Sequence, residues 1–180
     1  MALEIREMRA EDAESLAAMH VATWLAAYGD LVPAGTFEGL DLAEQADRWR
    51  GRVDGAENVG RRTIVALDGP AVAGFVAVGV AREAEPPGVG ELYALYVESP
   101  RWGTGLGRRL MDAGLAALVD AGYAAAYLWV LQDNPRARRF YELAGWACDG
   151  TVKDVDLFGT TLPEVRYRRS MADSPASTPR

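Results

Sequence analysis

Cysteine, histidine and lysine each occur once, as Cys148, His20 and Lys153. A lone cysteine excludes an internal disulfide and a thiolate-clustered metal site; a lone histidine excludes a multi-histidine metal centre and a two-histidine relay. No apolar run approaches the ~20 residues that a membrane span requires. The charged start MALEIREMRAED lacks the apolar core of a signal peptide, so a soluble cytoplasmic protein is expected. Cations are also in deficit: 19 Lys and Arg against 26 Asp and Glu leave a net charge of −7. That balance argues against nonspecific nucleic-acid binding, which depends on clustered cations neutralising phosphates, and tilts toward small or cationic partners. What remains is an average globular composition over 180 residues, 49% hydrophobic and 25% charged. One domain of this size buries enough surface to fold without a metal or disulfide.

The pattern along the chain alternates between strand and helix signals. Leu3, Ile5 and Met8 suggest a short first strand, and residues 11–27 read as a helix, acidic in its first turn and ended by Gly29 and Pro33. A second helix over 41–53 has Asp41 as N-cap and Glu44 at the capping-box spacing. TIVAL at 63–67 and VAGFVAVGV at 72–80 flank a turn and read as a hairpin. A Pro- and Gly-rich acidic loop covers 82–90, and ELYALYV at 91–97 is a strand. Helical spacing returns over 104–121, with Gly122 as its stop, before the apolar run 124–131, expected as a strand covered on both faces. Asn134-Pro135 opens a further helix that stops at Gly145. Two last strands are expected over 146–152 and 162–170, and a disordered tail over 171–180. This order describes a single α/β domain over residues 1–170 with a mixed sheet.

Two segments carry chemistry. Trp102-Gly103-Thr104-Gly105-Leu106-Gly107-Arg108 lies between a strand and a helix. Glycines at alternate positions let a phosphate approach the main chain, and the helix that follows presents free N–H groups and the positive end of its dipole. The spacing fits neither a Rossmann fingerprint nor a nucleoside-triphosphate loop. The same glycines also suit a simple tight connection. The second segment runs from Asn134 to Trp146 and places Asn134, Ala137, Arg138 and Tyr141 on one helix face. Tyr141 equally fits a core position there, since Ala137, Phe140, Tyr141 and Ala144 follow an amphipathic spacing.

Together the two segments resemble the GNAT superfamily of N-acetyltransferases, over about residues 3–170 in element order as well as motif. The family's Arg/Gln-x-x-Gly-x-Gly/Ala loop maps onto Trp102 through Gly107, with an indole where a polar side chain is usual. Its Asn-x-x-Ala-x-x-Phe-Tyr-x-x-x-Gly-Phe pattern maps onto Asn134 through Trp146. The resemblance implies a mostly antiparallel mixed sheet, splayed at its centre, with helices on both faces. It implies acetyl-CoA as co-substrate, with Leu95, Tyr96 and Val97 meeting the pantetheine arm through main-chain groups. Trp102, Gly103, Thr104, Gly105, Leu106, Gly107 and Arg108 would hold the pyrophosphate, and Asn134 and Ala137 the cofactor arm. Tyr141 would protonate the leaving thiolate. Glu91, which begins the splayed strand, is the expected base for an amine acceptor, and a main-chain N–H of 91–97 would meet the oxyanion. Trp24 and Tyr28 fall on an early helix that in the family helps form the acceptor pocket. No metal is expected, and homodimers are common in the family.

Several other features are weaker. Cys148 lies beside Asp149, whose charge opposes thiolate formation, and an acyl-cysteine route is disfavoured on that ground. His20, Trp24 and Tyr28 form a stripe that fits a core as well as a pocket. Glu83 and Glu85 could attract a cation or be merely solvated. A non-catalytic acyl-CoA sensor on the same fold, and an enzyme acting on protein or aminoacyl-RNA amines, are the rival readings. The RNA version would need Arg136, Arg138, Arg139 and residues 166–169 to form a basic face against the net −7.

Overall fold

The computed structural model describes residues 3–28, 32, 36, 39–54 and 60–171. Its elements follow the order β1 (Glu4–Glu7), α1 (Ala13–Tyr28), α2 (Leu42–Asp54), β2 (Arg62–Asp68), β3 (Ala71–Val80), β4 (Val89–Val97), α3 (Leu106–Asp120), β5 (Ala125–Leu131), α4 (Pro135–Leu143), β6 (Ala147–Leu157) and β7 (Thr160–Ser170). The strands form one sheet in the order β1-β2-β3-β4-β5-β7-β6. Only β4 and β5 run parallel; every other neighbouring pair is antiparallel.

Local chemistry sets most of the helix starts. Before α1, a single 3₁₀ turn ends at the buried Asp12, which accepts from the Arg9 N–H at 2.7 Å and from the Arg6 guanidinium at 2.7 and 2.9 Å. Asp41 caps α2 by accepting from the Ala43 and Glu44 N–H groups. Glu44 does not complete a capping box; its carboxylate pairs with Arg48. Asn134 Oδ1 accepts from the Ala137 N–H at 3.0 Å, and Pro135 follows at the first helical position, where no N–H is needed.

The core has two layers, one on each face of the sheet. Leu16 of α1 and Trp49 of α2 pack on Val65 and Phe75. On the opposite face Leu110, Met111 and Leu118 of α3, with Tyr141 and Ala144, pack on Val76, Val78, Leu92 and Leu128. Each fully buried Leu or Met of this set contributes about 1.5–3 kcal/mol.

The feature that positions the site is an opening between β4 and β5. They pair only over Val89–Leu92 against Ala125–Leu128. Beyond that point β3 continues to hold β4 as far as Val97, and β7 holds β5 as far as Leu131. On β3, Ala77 faces Ala94 and the next residue, Val78, faces Leu92, so Tyr93 is the extra residue of a bulge on β4. Such a bulge bends its strand and breaks the ladder locally. The splay expected at the centre of the sheet lies here.

Two expectations need adjustment, and a third lies outside the described residues. The sixth strand reaches Leu157, well past 152, and joins β7 through a two-residue turn at Phe158 and Gly159. Its residues are mostly exposed, as befits an edge strand, so no buried alternation marks it in the sequence. Met171, the first residue of the expected tail, is 7% exposed and packed in the core, and its N–H bonds to the Ala124 carbonyl; residues 172–180 lie outside the described residues. So do Gly29 and Pro33, the expected stops of α1.

Candidate active site

The glycine loop between β4 and α3 is built to leave donors unpaired. Gly103 and Gly105 have φ of 76° and 87°, in the left-handed region where a side chain is strained, and Gly105 is the N-cap of α3. The N–H groups of Gly103, Gly105, Leu106, Gly107 and Arg108 meet no acceptor among the described residues. Five unpaired donors at the N-terminus of a 15-residue helix suit an anion of the size of a pyrophosphate. The Thr104 N–H and hydroxyl both bond to the Arg101 carbonyl, so Thr104 shapes the loop. The Leu106 side chain is buried in the core, which leaves only its N–H for a ligand.

From this loop a cavity of about 470 Å³ runs into the opening between β4 and β5. Leu95, Tyr96, Val97, Trp102, Gly103, Gly105, Gly107, Arg108, Asn134, Ala137 and Tyr141, all expected at a cofactor site, line it; Thr104 and Leu106 do not. The indole at position 102 has a defined role: its N–H donates to the Val97 carbonyl at 2.7 Å, so that carbonyl is already engaged. The Arg136 guanidinium lies 3.3 Å from the centre of the Trp102 ring and joins α4 to the loop across the cavity mouth. Asn134 spends its carbonyl oxygen on the cap and keeps its amide N–H₂.

At the inner end, Tyr141 is 8% exposed, and its hydroxyl has no hydrogen-bond partner among the described residues. Burial, reinforced by the neighbouring Tyr96, raises its pKa well above the phenol value, so it is protonated at neutral pH. The hydroxyls of Tyr28 and Tyr96 lie 3.0 Å apart, and both rings line the cavity. Tyr28, expected at an acceptor pocket, thus lines the cavity. Trp24 is not among the lining residues and is in ring contact with His20 and Phe158. His20 is enclosed by Trp24, Trp49, Phe75 and Tyr96, and burial, with Arg52 nearby, lowers its pKa to about 3.

Glu91, expected as the base, is enclosed by its surroundings. It is 1% exposed, does not line the cavity, and accepts from the Arg82 N–H at 2.9 Å, the Arg82 guanidinium and the Tyr127 hydroxyl at 2.8 Å. With its lone pairs directed at these donors, it anchors the 82–90 loop to the sheet. Among the described residues, the one carboxylate that lines the cavity is Glu164 of β7. Glu164, Trp129, Tyr93 and Arg136 were not predicted from the sequence. Glu164 sits in a strand whose neighbours Val165 and Tyr167 carry the core signal, and nothing local marks it. Cys148 is exposed on β6 and outside the cavity.

The arrangement has counterparts. In fold, PaiA N-acetyltransferase of Thermoplasma acidophilum, solved in complex with coenzyme A, superposes with a TM-score of 0.72 at 19% identity, over 94% of this chain and 99% of that one. YncA of Salmonella typhimurium, solved with its cofactor acetyl-CoA, gives a TM-score of 0.72 at 16% identity over 99% of both chains. The fold is thus shared with these two structures. In sequence, residues 18–146 match the acetyltransferase (GNAT) family. The uncharacterized N-acetyltransferase YuaI of Bacillus subtilis is 31% identical over 163 residues, 89% of each chain. The chain belongs to the GNAT acetyltransferase family.

Proposed function

We propose that the protein transfers an acetyl group from acetyl-CoA directly to an amine, with both substrates bound together. Acetyl-CoA would supply the acetyl group as a thioester. The unpaired amides of 103–108 hold its pyrophosphate at the head of α3. The edge of β4 left open beyond Leu92 offers main-chain groups to the amide-bearing arm, in the manner of an added strand. The Asn134 amide N–H₂ orients the arm where it turns inward. Tyr141 donates its hydroxyl proton to the sulfur as the C–S bond breaks and the C–N bond forms; the surplus proton of the amine nitrogen passes to solvent and Tyr141 is reprotonated. A main-chain N–H of the opened strand meets the negative charge that develops on the carbonyl oxygen.

The observation that carries this reading is the placement, on one cavity, of a phosphate-sized set of unpaired amides at the mouth and a protonated, unpartnered tyrosine at the inner end. The first experiment is thermal unfolding with acetyl-CoA, with NAD and ATP as controls. At about 100-fold over its dissociation constant a ligand adds ~2.7 kcal/mol, a shift of roughly 5–10 °C for a domain of this size. A shift with acetyl-CoA alone supports the assignment, and none at saturation rejects it. Binding without turnover on any amine would turn the reading to an acyl-CoA sensor.

A further inference from the structure

On the face of the sheet that carries Trp129 and Glu164, charges pair almost completely. Arg82 pairs with Glu91, Lys153 with Glu83 at 2.6 Å, and Arg166 and Arg168 each with both Glu85 and Asp149. Four cations are thereby matched to four carboxylates. The fifth carboxylate, Glu164, has no hydrogen bond or ion pair among the described residues. Lys153 stands directly opposite it on β6, but is committed to Glu83. Glu164 is half-buried and lines the cavity with the rings of Tyr28, Tyr93, Tyr96 and Trp129. Trp129 already carries Lys153 at 4.1 Å from its centre and Tyr93 carries Arg61 at 4.6 Å, so the rings of Tyr28 and Tyr96 are the ones left to a guest. An unmatched carboxylate beside aromatic rings favours a cation over a neutral or anionic guest, since ring faces attract cations and the carboxylate regains a partner.

We propose that Glu164 selects the acceptor, holding an alkyl- or arylalkylammonium substrate against this aromatic wall; its nitrogen releases one proton to solvent before attack, because only the neutral amine carries the lone pair that forms the C–N bond. The inference rests on the acetyltransferase reading and adds to it the substrate class and the residue that recognises it. Burial raises the Glu164 carboxyl above its ordinary pKa, opposed by Lys153 and Arg82; a bound cation would lower it again.

The test is titration calorimetry on the protein saturated with coenzyme A, using phenethylamine, the neutral 2-phenylethanol and the anionic 3-phenylpropionate. Phenethylamine is expected to bind at least about tenfold more tightly than the alcohol, as a charge-assisted hydrogen bond supplies, and the anion more weakly than either. Glu164→Gln should abolish that discrimination and raise the KM for the amine by a similar factor, while the dissociation constant of acetyl-CoA stays within twofold. Glu164→Ala serves as a second variant, and thermal midpoints check that both fold. Equal binding of the three probes by the parent, or discrimination retained in both variants, would overturn the proposal. If acetyl-CoA itself does not bind, the acetyltransferase reading fails; if it binds and amines react without regard to Glu164, only the acceptor proposal fails.

Discussion

The two walls of the cavity are made in different ways. The wall from 93 to 108, with 134–141, comes from two continuous stretches of chain and works largely through main-chain groups: unpaired amides, an opened strand edge and a helix start. The other wall takes Tyr28 from α1, Trp129 from β5 and Glu164 from β7, and works through side chains brought together across the fold. Main-chain recognition requires particular residues at fixed local spacing, because backbone geometry is set by near neighbours. Side-chain recognition requires only that distant strands lie in register, so it can change residue by residue while the main-chain wall stays as it is.

The largest effect is expected where the first wall is strained. Gly105→Val forces a β-branched residue to φ near 87°, although a Cβ there meets no atom within 4 Å. The loop should rearrange, and acetyl-CoA affinity should fall by about 100-fold or more, with one or two donors lost at ~1–3 kcal/mol each. Calorimetry measures this, with circular dichroism to show an intact fold; affinity within threefold would break the distinction between the walls. Tyr141→Phe comes next. Turnover should drop roughly 10²–10⁴-fold with acetyl-CoA binding within twofold, as single-turnover and equilibrium measurements can show.

Glu91 and Glu164 differ in that the first is enclosed and the second lines the cavity. Glu91→Gln should cost about 1–3 kcal/mol of stability in urea unfolding, because a buried network loses its charge-assisted bonds. Turnover per folded molecule should change less than about threefold. A loss of 100-fold at full folding would return Glu91 to the chemistry. At neutral pH the smallest effect is that of His20, which appears only in acid. Its pKa in the folded state, about 3, lies below the unfolded value near 6.5. The unfolded chain therefore binds a proton that the native state refuses. The stability that His20 gains by remaining neutral is complete above pH 6.5 and is lost as the pH falls toward 3, at up to about 1.4 kcal/mol per pH unit. His20→Phe should flatten the stability profile by that slope over this window. Parallel profiles for parent and variant would mean that His20 protonates freely in the folded state.

The main-chain wall was legible because its signals are local. Asn134-Pro135 announces a helix start, and Gly103 and Gly105 stand where the backbone turns left-handed. The length of β6 was not legible, since an exposed edge strand leaves no buried face to read. Glu91 is the opposite case: its place at the start of the opened strand was readable, but not that Arg82 and Tyr127 enclose it. Trp24 and Tyr28 lie four residues apart on α1, yet only Tyr28 enters the cavity.

By itself, then, the order of residues determined what depends on neighbours in the chain: the helix caps, the glycine loop with its free amides, the alternation of strand and helix, and the family. The tertiary structure decided which side chains share a space. The bulge at Tyr93 opens β4 from β5, and the pairing of β5 with β7 sets Glu164 opposite Leu131 and brings it to the cavity that Trp129 and Tyr28 also line. Charges satisfied elsewhere on that face leave Glu164 unmatched. Those relations span more than a hundred residues, and no local rule of spacing encodes them.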